Sequence, residues 1–90
     1  MKIRKRYNFT GDVQGVGFRF RAYHAAQQLG ITGWVENEPD GSVTIEAQGD
    51  GAALAAMLGM MENGLYIDIA DISETSLEPD EDELGFDIRP

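Results

Sequence analysis

The chain has 90 residues, 42% of them apolar, and a length that suits one domain with one core over residues 1–90, since so short a chain buries only roughly 60% of its extended surface. It has no cysteine and a single histidine, His24, which excludes disulfides, thiolate chemistry and His/Cys zinc sites, and no apolar run approaches the roughly 20 residues of a membrane helix. The net charge is −9, yet six of the seven basic residues are Lys2, Arg4, Lys5, Arg6, Arg19 and Arg21, an asymmetry that disfavours nucleic acid and leaves the basic end open to a small phosphorylated ligand.

The basic start Lys2 to Arg6 runs into alternation rather than a signal-peptide hydrophobic block, so the expected location is the cytoplasm. Ile3, Tyr7, Phe9, Gly11 and Val13 fall on one face of an extended segment and Arg4, Arg6, Asn8 and Thr10 on the other, the period of a half-buried strand. Arg4 and Arg6 read as a solvated face of that strand. Lys5 interrupts the apolar face, which an edge position or a snorkelling side chain tolerates.

Next comes Gly11-Asp12-Val13-Gln14-Gly15-Val16-Gly17-Phe18-Arg19. Gly15 and Gly17 can take positive φ and turn several backbone N–H groups toward one point, and the segment opens directly into a helix whose first amides have no intrahelical partner. Arg19 stands beside that positive end, where a guanidinium can hold two phosphate oxygens at once. The spacing is neither G-x-G-x-x-G nor a P-loop, so the expected occupant is small rather than a dinucleotide or nucleoside triphosphate.

The helix spans Phe18 to Gly30, with Phe18, Ala22, Ala25 and Leu29 at helical spacing and Gly30 as its stop. His24 lies within it without a placed partner and reads as a surface or boundary residue. A second strand covers Ile31 to Asn37, with Ile31, Gly33, Val35 and Asn37 on one face. The amide of Asn37 is the odd member of that series and needs partners, either at the adjacent turn or in a site. Glu38-Pro39-Asp40-Gly41 turns the chain into a third strand, Ser42 to Ala47, completing a hairpin.

Asp50 stands where it can cap a second helix carrying the stripe Leu54, Met57, Leu58 and Met61, whose methionines are core packing, and this helix ends near Asn63-Gly64. Leu65 to Ile72 is a fourth strand in which the alternation changes phase between Ile69 and Ile72, a change that a bulge explains. The acidic run Glu78 to Glu83 lacks the spacing of a calcium loop and reads as a solvated connection before a short strand at Phe86 to Arg89. The order predicts an α+β, ferredoxin-like βαββαβ sandwich, with two helices on one face of a mainly antiparallel sheet of four to five strands. That topology is expected to bring Arg19 and Asn37 together.

With the glycine segment and Gly33-Trp34-Val35-Glu36-Asn37 both placed, followed by Asp40-Gly41, the chain resembles the acylphosphatase family over essentially its whole length. The resemblance maps the family's anion-binding loop onto Gly15, Val16, Gly17, Phe18 and Arg19, its catalytic arginine onto Arg19 and its catalytic asparagine onto Asn37. It implies hydrolysis of a small-molecule acyl phosphate to a carboxylate and inorganic phosphate, without metal or cofactor. From the charge and the lack of a long apolar run no nucleic-acid or membrane partner is expected, and the expected state is a monomer. The residues agree with that chemistry, for a carboxylate leaves as a stable anion and Arg19, the loop amides and Asn37 can bind phosphate and orient water without a strong base.

Two features depart from the family pattern: Asn63-Gly64-Leu65-Tyr66-Ile67 replaces a frequent Gly-Pro connection, and the overall charge is unusually acidic. The alternative function is a non-catalytic phosphate- or carbamoyl-phosphate-binding module of a larger maturation system, because similar domains occur in hydrogenase-maturation carbamoyltransferases. An RNA-recognition role on the same fold is disfavoured by the charge and by the absence of a basic, aromatic RNP motif.

Overall fold

The computed structural model describes Met1–Pro90, with β1 (Lys2–Asp12), α1 (Phe18–Leu29), β2 (Thr32–Asn37), β3 (Val43–Asp50), α2 (Gly51–Glu62), β4 (Asp68–Leu77) and β5 (Phe86–Ile88). The strands make one sheet in the order β4-β1-β3-β2-β5, antiparallel at every pairing except β2 with β5. Both helices cover one face of it, which is the ferredoxin-like α+β sandwich that the order of elements predicts. No helix is long and apolar enough to cross a membrane.

Strand order is what assembles the site. Because β3 pairs antiparallel with both β1 and β2, those two strands run in the same direction, and β5 runs parallel to β2. The C-terminal ends of β1, β2 and β5 therefore lie at one end of the sheet, where the glycine loop, Asn37 and the tail converge.

The helices form where periodicity places them. In α1, Phe18, Ala22, Ala25 and Ala26 are buried, and Gly30 closes it in the left-handed conformation at φ 68°, its N–H donating to the Ala26 carbonyl. Phe18 meets Phe9 of β1 edge to face with ring centroids 4.9 Å apart, which seats the helix start on the sheet and adds about 0.5–1.5 kcal/mol beyond the buried area. In α2, Leu54, Met57 and Met61 are buried and Leu58 is half-buried. Asp50 occupies the N-cap position, but its side chain makes no capping bond and instead accepts from the N-terminal ammonium at 3.2 Å.

The fourth strand departs from its expected bounds. Leu65 and Tyr66 lie exposed in a turn, and β4 begins at Asp68 and continues to Leu77. Its phase change is a bulge, since Thr10 pairs with Asp71 and Gly11 already with Ile69, leaving Ala70 unpaired. Ile69 and Ile72 can then both pack against the core. Gly11 permits the close approach: its φ is 117°, and a Cβ there would stand 2.2 Å from the Asp68 carbonyl oxygen. The third strand also extends past Ala47 to Asp50 as the outer partner of Lys2.

Arg4 overturns the reading of a wholly solvated strand face. It is only 6% exposed, and its guanidinium bonds Glu46 at 2.9 Å and Glu83 at 2.8 Å on the sheet face opposite the helices. The hydrogen bond to Glu83 holds its pKa above the ordinary value, against the opposing effect of desolvation. Glu83 likewise leaves the solvated-connection reading: the acidic run folds back over the sheet, with the Asp80 N–H donating to Gln48 Oε1 and Gln48 Nε2 to the Asp80 carbonyl. Arg6 stays half-exposed, as expected of that face.

Candidate active site

At the end of β1, Val13 is fully buried and anchors the base of the glycine loop. Gly15 and Gly17 adopt φ 73° and 80°, and a Cβ at either would meet no other atom, so conformation rather than space requires glycine there. Gly17 is the N-cap of α1 and brings no side chain to occupy the helix amides. The bond from Arg21 N to Gly17 O, 3.0 Å, closes the first turn and leaves the N–H groups of Phe18, Arg19 and Phe20 without an intrahelical acceptor. No acidic residue stands in that turn, so the positive end of the helix dipole is not neutralised locally.

A pocket of about 180 Å³ opens here, lined by Val13, Gly15, Gly17, Phe18, Arg19, Phe20, Asn37 and Ile88. It is smaller than the roughly 300–1,000 Å³ of sites that enclose drug-sized ligands, which suits a phosphate-sized group with a modest substituent. Arg19 and Asn37 line the same pocket although 18 positions separate them in the chain, as the split βαβ topology leads one to expect. Asn37 ends β2 on the helix side of the sheet, and its Oδ1 is buried without a hydrogen-bond partner, the one such side-chain atom in the protein. A polar atom in that state costs about 1–3 kcal/mol unless a ligand or water meets it.

Three contacts that local sequence patterns do not reveal hold these groups. Gln14 Nε2 donates to the carbonyls of Glu38, 2.7 Å, and Ser42, 2.9 Å, clamping the glycine loop to the β2–β3 turn just beyond Asn37. Arg19 donates from one guanidinium nitrogen to the Arg89 carbonyl at 2.7 Å. Arg89 is itself fixed, with its N–H on the Val35 carbonyl at 2.8 Å and its guanidinium 3.9 Å above the Trp34 ring. The turn is tightened by Asp40, whose Oδ1 accepts from the Ser42 hydroxyl and N–H, bonds that lower the pKa of its carboxyl.

His24 is exposed on α1, edge to face with Tyr23, and does not line the pocket. No three His, Cys, Asp or Glu side chains come together in a group suited to a metal ion. Val13, Phe20 and Ile88 line the pocket without being site candidates in the sequence. Only Phe20 carries a signal, because a large apolar side chain there falls outside the stripe of Phe18, Ala22, Ala25 and Leu29.

The acylphosphatase family model matches residues 5–88. An acylphosphatase of Oceanobacillus iheyensis is 40% identical over 86 residues, 93% of this chain and 94% of that relative. The crystal structure of an acylphosphatase from Bacillus subtilis superposes with a TM-score of 0.89 at 35% identity, covering 98% of this chain and 99% of that one. Full-length HypF, solved in a phosphate- and nucleotide-bound form, contains a stretch that matches with a TM-score of 0.88 at 26% identity, covering all of this chain and 12% of that protein.

Proposed function

The chain belongs to the acylphosphatase family and is a hydrolase of that class, and on this premise we propose that Arg19 and the amides of Gly15 to Phe18 bind the phosphoryl group of an acyl phosphate while Asn37 orients the attacking water. The observation that carries this reading is the buried, unpartnered Oδ1 of Asn37, which lines the same pocket as Arg19 and the glycine loop. An acceptor without a donor is suited to a water molecule, which gives it one O–H and keeps a lone pair for phosphorus.

In the proposed reaction the water oxygen forms a bond to phosphorus as the bond from phosphorus to the acyl oxygen breaks. The electron pair of that bond leaves with the carboxylate, and the water's proton passes to a phosphoryl oxygen. Charge on the phosphoryl oxygens is met by the Arg19 guanidinium and the free helix amides, which are set in place before reaction and need no reorganisation. The carboxylate departs as a stable anion without a general acid or a Lewis acid.

The test is phosphate release from benzoyl phosphate and acetyl phosphate in excess chelator, corrected for spontaneous hydrolysis, beside Arg19→Ala and Asn37→Ala. Turnover by the wild type that is lost in both folded variants is the expected result. Full activity of either variant refutes its assigned role. The likeness to a stretch of HypF supports a second reading, a phosphate- or carbamoyl-phosphate-binding module of a larger maturation system. A folded wild type that phosphate protects from unfolding but that turns over neither substrate favours that one.

A further inference from the structure

Apart from Met1, four large apolar side chains are strongly exposed: Phe20, Leu65, Tyr66 and Leu84. Leu65, Tyr66 and Leu84 lie in turns or loops away from the pocket, whereas Phe20, 68% exposed, is part of its wall. It follows Arg19 directly in the first turn of α1, off the stripe that buries the helix against the sheet. Nothing in the packing of the domain needs an aromatic ring there, and its apolar surface stands in water at the mouth of an anion cradle.

The reading of the site given above, on which this inference rests, puts the phosphoryl group against Gly15 to Phe18 and Arg19. The acyl part of the substrate must then project away from the loop amides. Val13 and Phe18, among the apolar lining residues, are fully committed to the core, so the apolar wall left for the acyl part is Phe20, with half-buried Ile88 of β5 beside it. We infer that Phe20 is the acyl-side wall of the site and makes it selective for acyl phosphates with an aromatic or branched apolar acyl group over acetyl phosphate.

The test is kcat/KM for benzoyl phosphate and for acetyl phosphate in the wild type, Phe20→Ala and Phe20→Tyr, with inorganic phosphate as a competitive inhibitor of each. Comparing the ratio of the two substrates between proteins cancels their different intrinsic reactivity. Phe20→Ala is expected to lower kcat/KM for benzoyl phosphate about tenfold, the factor that hiding roughly 55 Å² of apolar surface supplies. Acetyl phosphate should lose no more than about twofold, inhibition by phosphate should stay within about twofold, and Phe20→Tyr should keep the benzoyl preference. Equal losses on both substrates, or a ratio that Phe20→Ala leaves unaltered, overturn the assignment of Phe20. A folded wild type that hydrolyses neither substrate overturns instead the reading of the site on which the assignment rests.

Discussion

Replacing Asn37 by alanine should separate stability from activity in this domain. In an ordinary partly buried position, deleting an asparagine side chain breaks hydrogen bonds and costs about 1–3 kcal/mol. Here Oδ1 makes no bond to another protein group, so the substitution breaks no intramolecular contact. Water entering the pocket satisfies the amide in the unliganded protein, which leaves a packing loss of about 1 kcal/mol or less for the deleted atoms. For a chain of this size that is a fall in Tm of no more than about 4–8 °C. Loss of a contact made to the reacting water should lower kcat on benzoyl phosphate by roughly 10²- to 10³-fold, the range seen when a single preorganised polar group is deleted. Affinity for inorganic phosphate should change less than about twofold, since Arg19 and the loop amides remain. Urea unfolding without phosphate, steady-state kinetics and phosphate titration read the three quantities separately. Destabilisation beyond about 1 kcal/mol would show that the amide is a structural group, and a kcat within about threefold of wild type would remove it from the mechanism.

Other perturbations follow from the contacts around the site and on the open sheet face. Arg89→Ala removes the stack on Trp34 that steadies the carbonyl holding Arg19, and should lower kcat/KM about three- to tenfold with weaker phosphate inhibition, partly rescued by Arg89→Lys; unchanged kinetics would dismiss the tether. Arg4→Ala leaves Glu46 and Glu83 facing each other on the sheet face opposite the helices and should cost about 3 kcal/mol in urea unfolding, whereas a loss under about 1 kcal/mol would mean that water screens the cluster. Tyr7 is buried in the core, and burial first, then the nearby charge of Glu74, raise its phenol pKa above the ordinary 10.0. Above pH 10.0 the unfolded chain therefore binds fewer protons than the folded one. The stability that Tyr7 contributes is complete below that pH and is lost as pH rises through the raised folded value. Tyr7→Phe should flatten this alkaline decline, and an identical decline in the variant would assign it to other groups.

Some of this architecture is already present in the order of residues, because conformation along a few neighbours is a local property. Gly15, Gly17 and Gly30 stand where positive φ is needed, and the alternation of Tyr7 and Phe9 or the helical spacing of Phe18, Ala22 and Ala25 depends only on which residues follow one another. Even the bulge at Ala70 left a trace in the phase change from Ile69 to Ile72. What the chain does to distant residues is different in kind. Arg4 reads as a solvated strand residue until Glu83, 79 positions away, folds over it, and no local signal joins Gln14 to the Glu38 carbonyl, 24 positions on, or Arg19 to the Arg89 carbonyl, 70 positions on.

Those contacts exist because β3 inserts between β1 and β2, so that two like-directed strands and the tail strand deliver their C-terminal ends to one place. Free amides and a guanidinium side by side are legible in the order of residues, since they are inherent in a glycine turn opening a helix that begins Phe18-Arg19. That the Asn37 oxygen is buried without a protein partner in the same pocket is a property of the folded chain, because hydrogen-bond satisfaction depends on every group within reach in space rather than on neighbours along the chain.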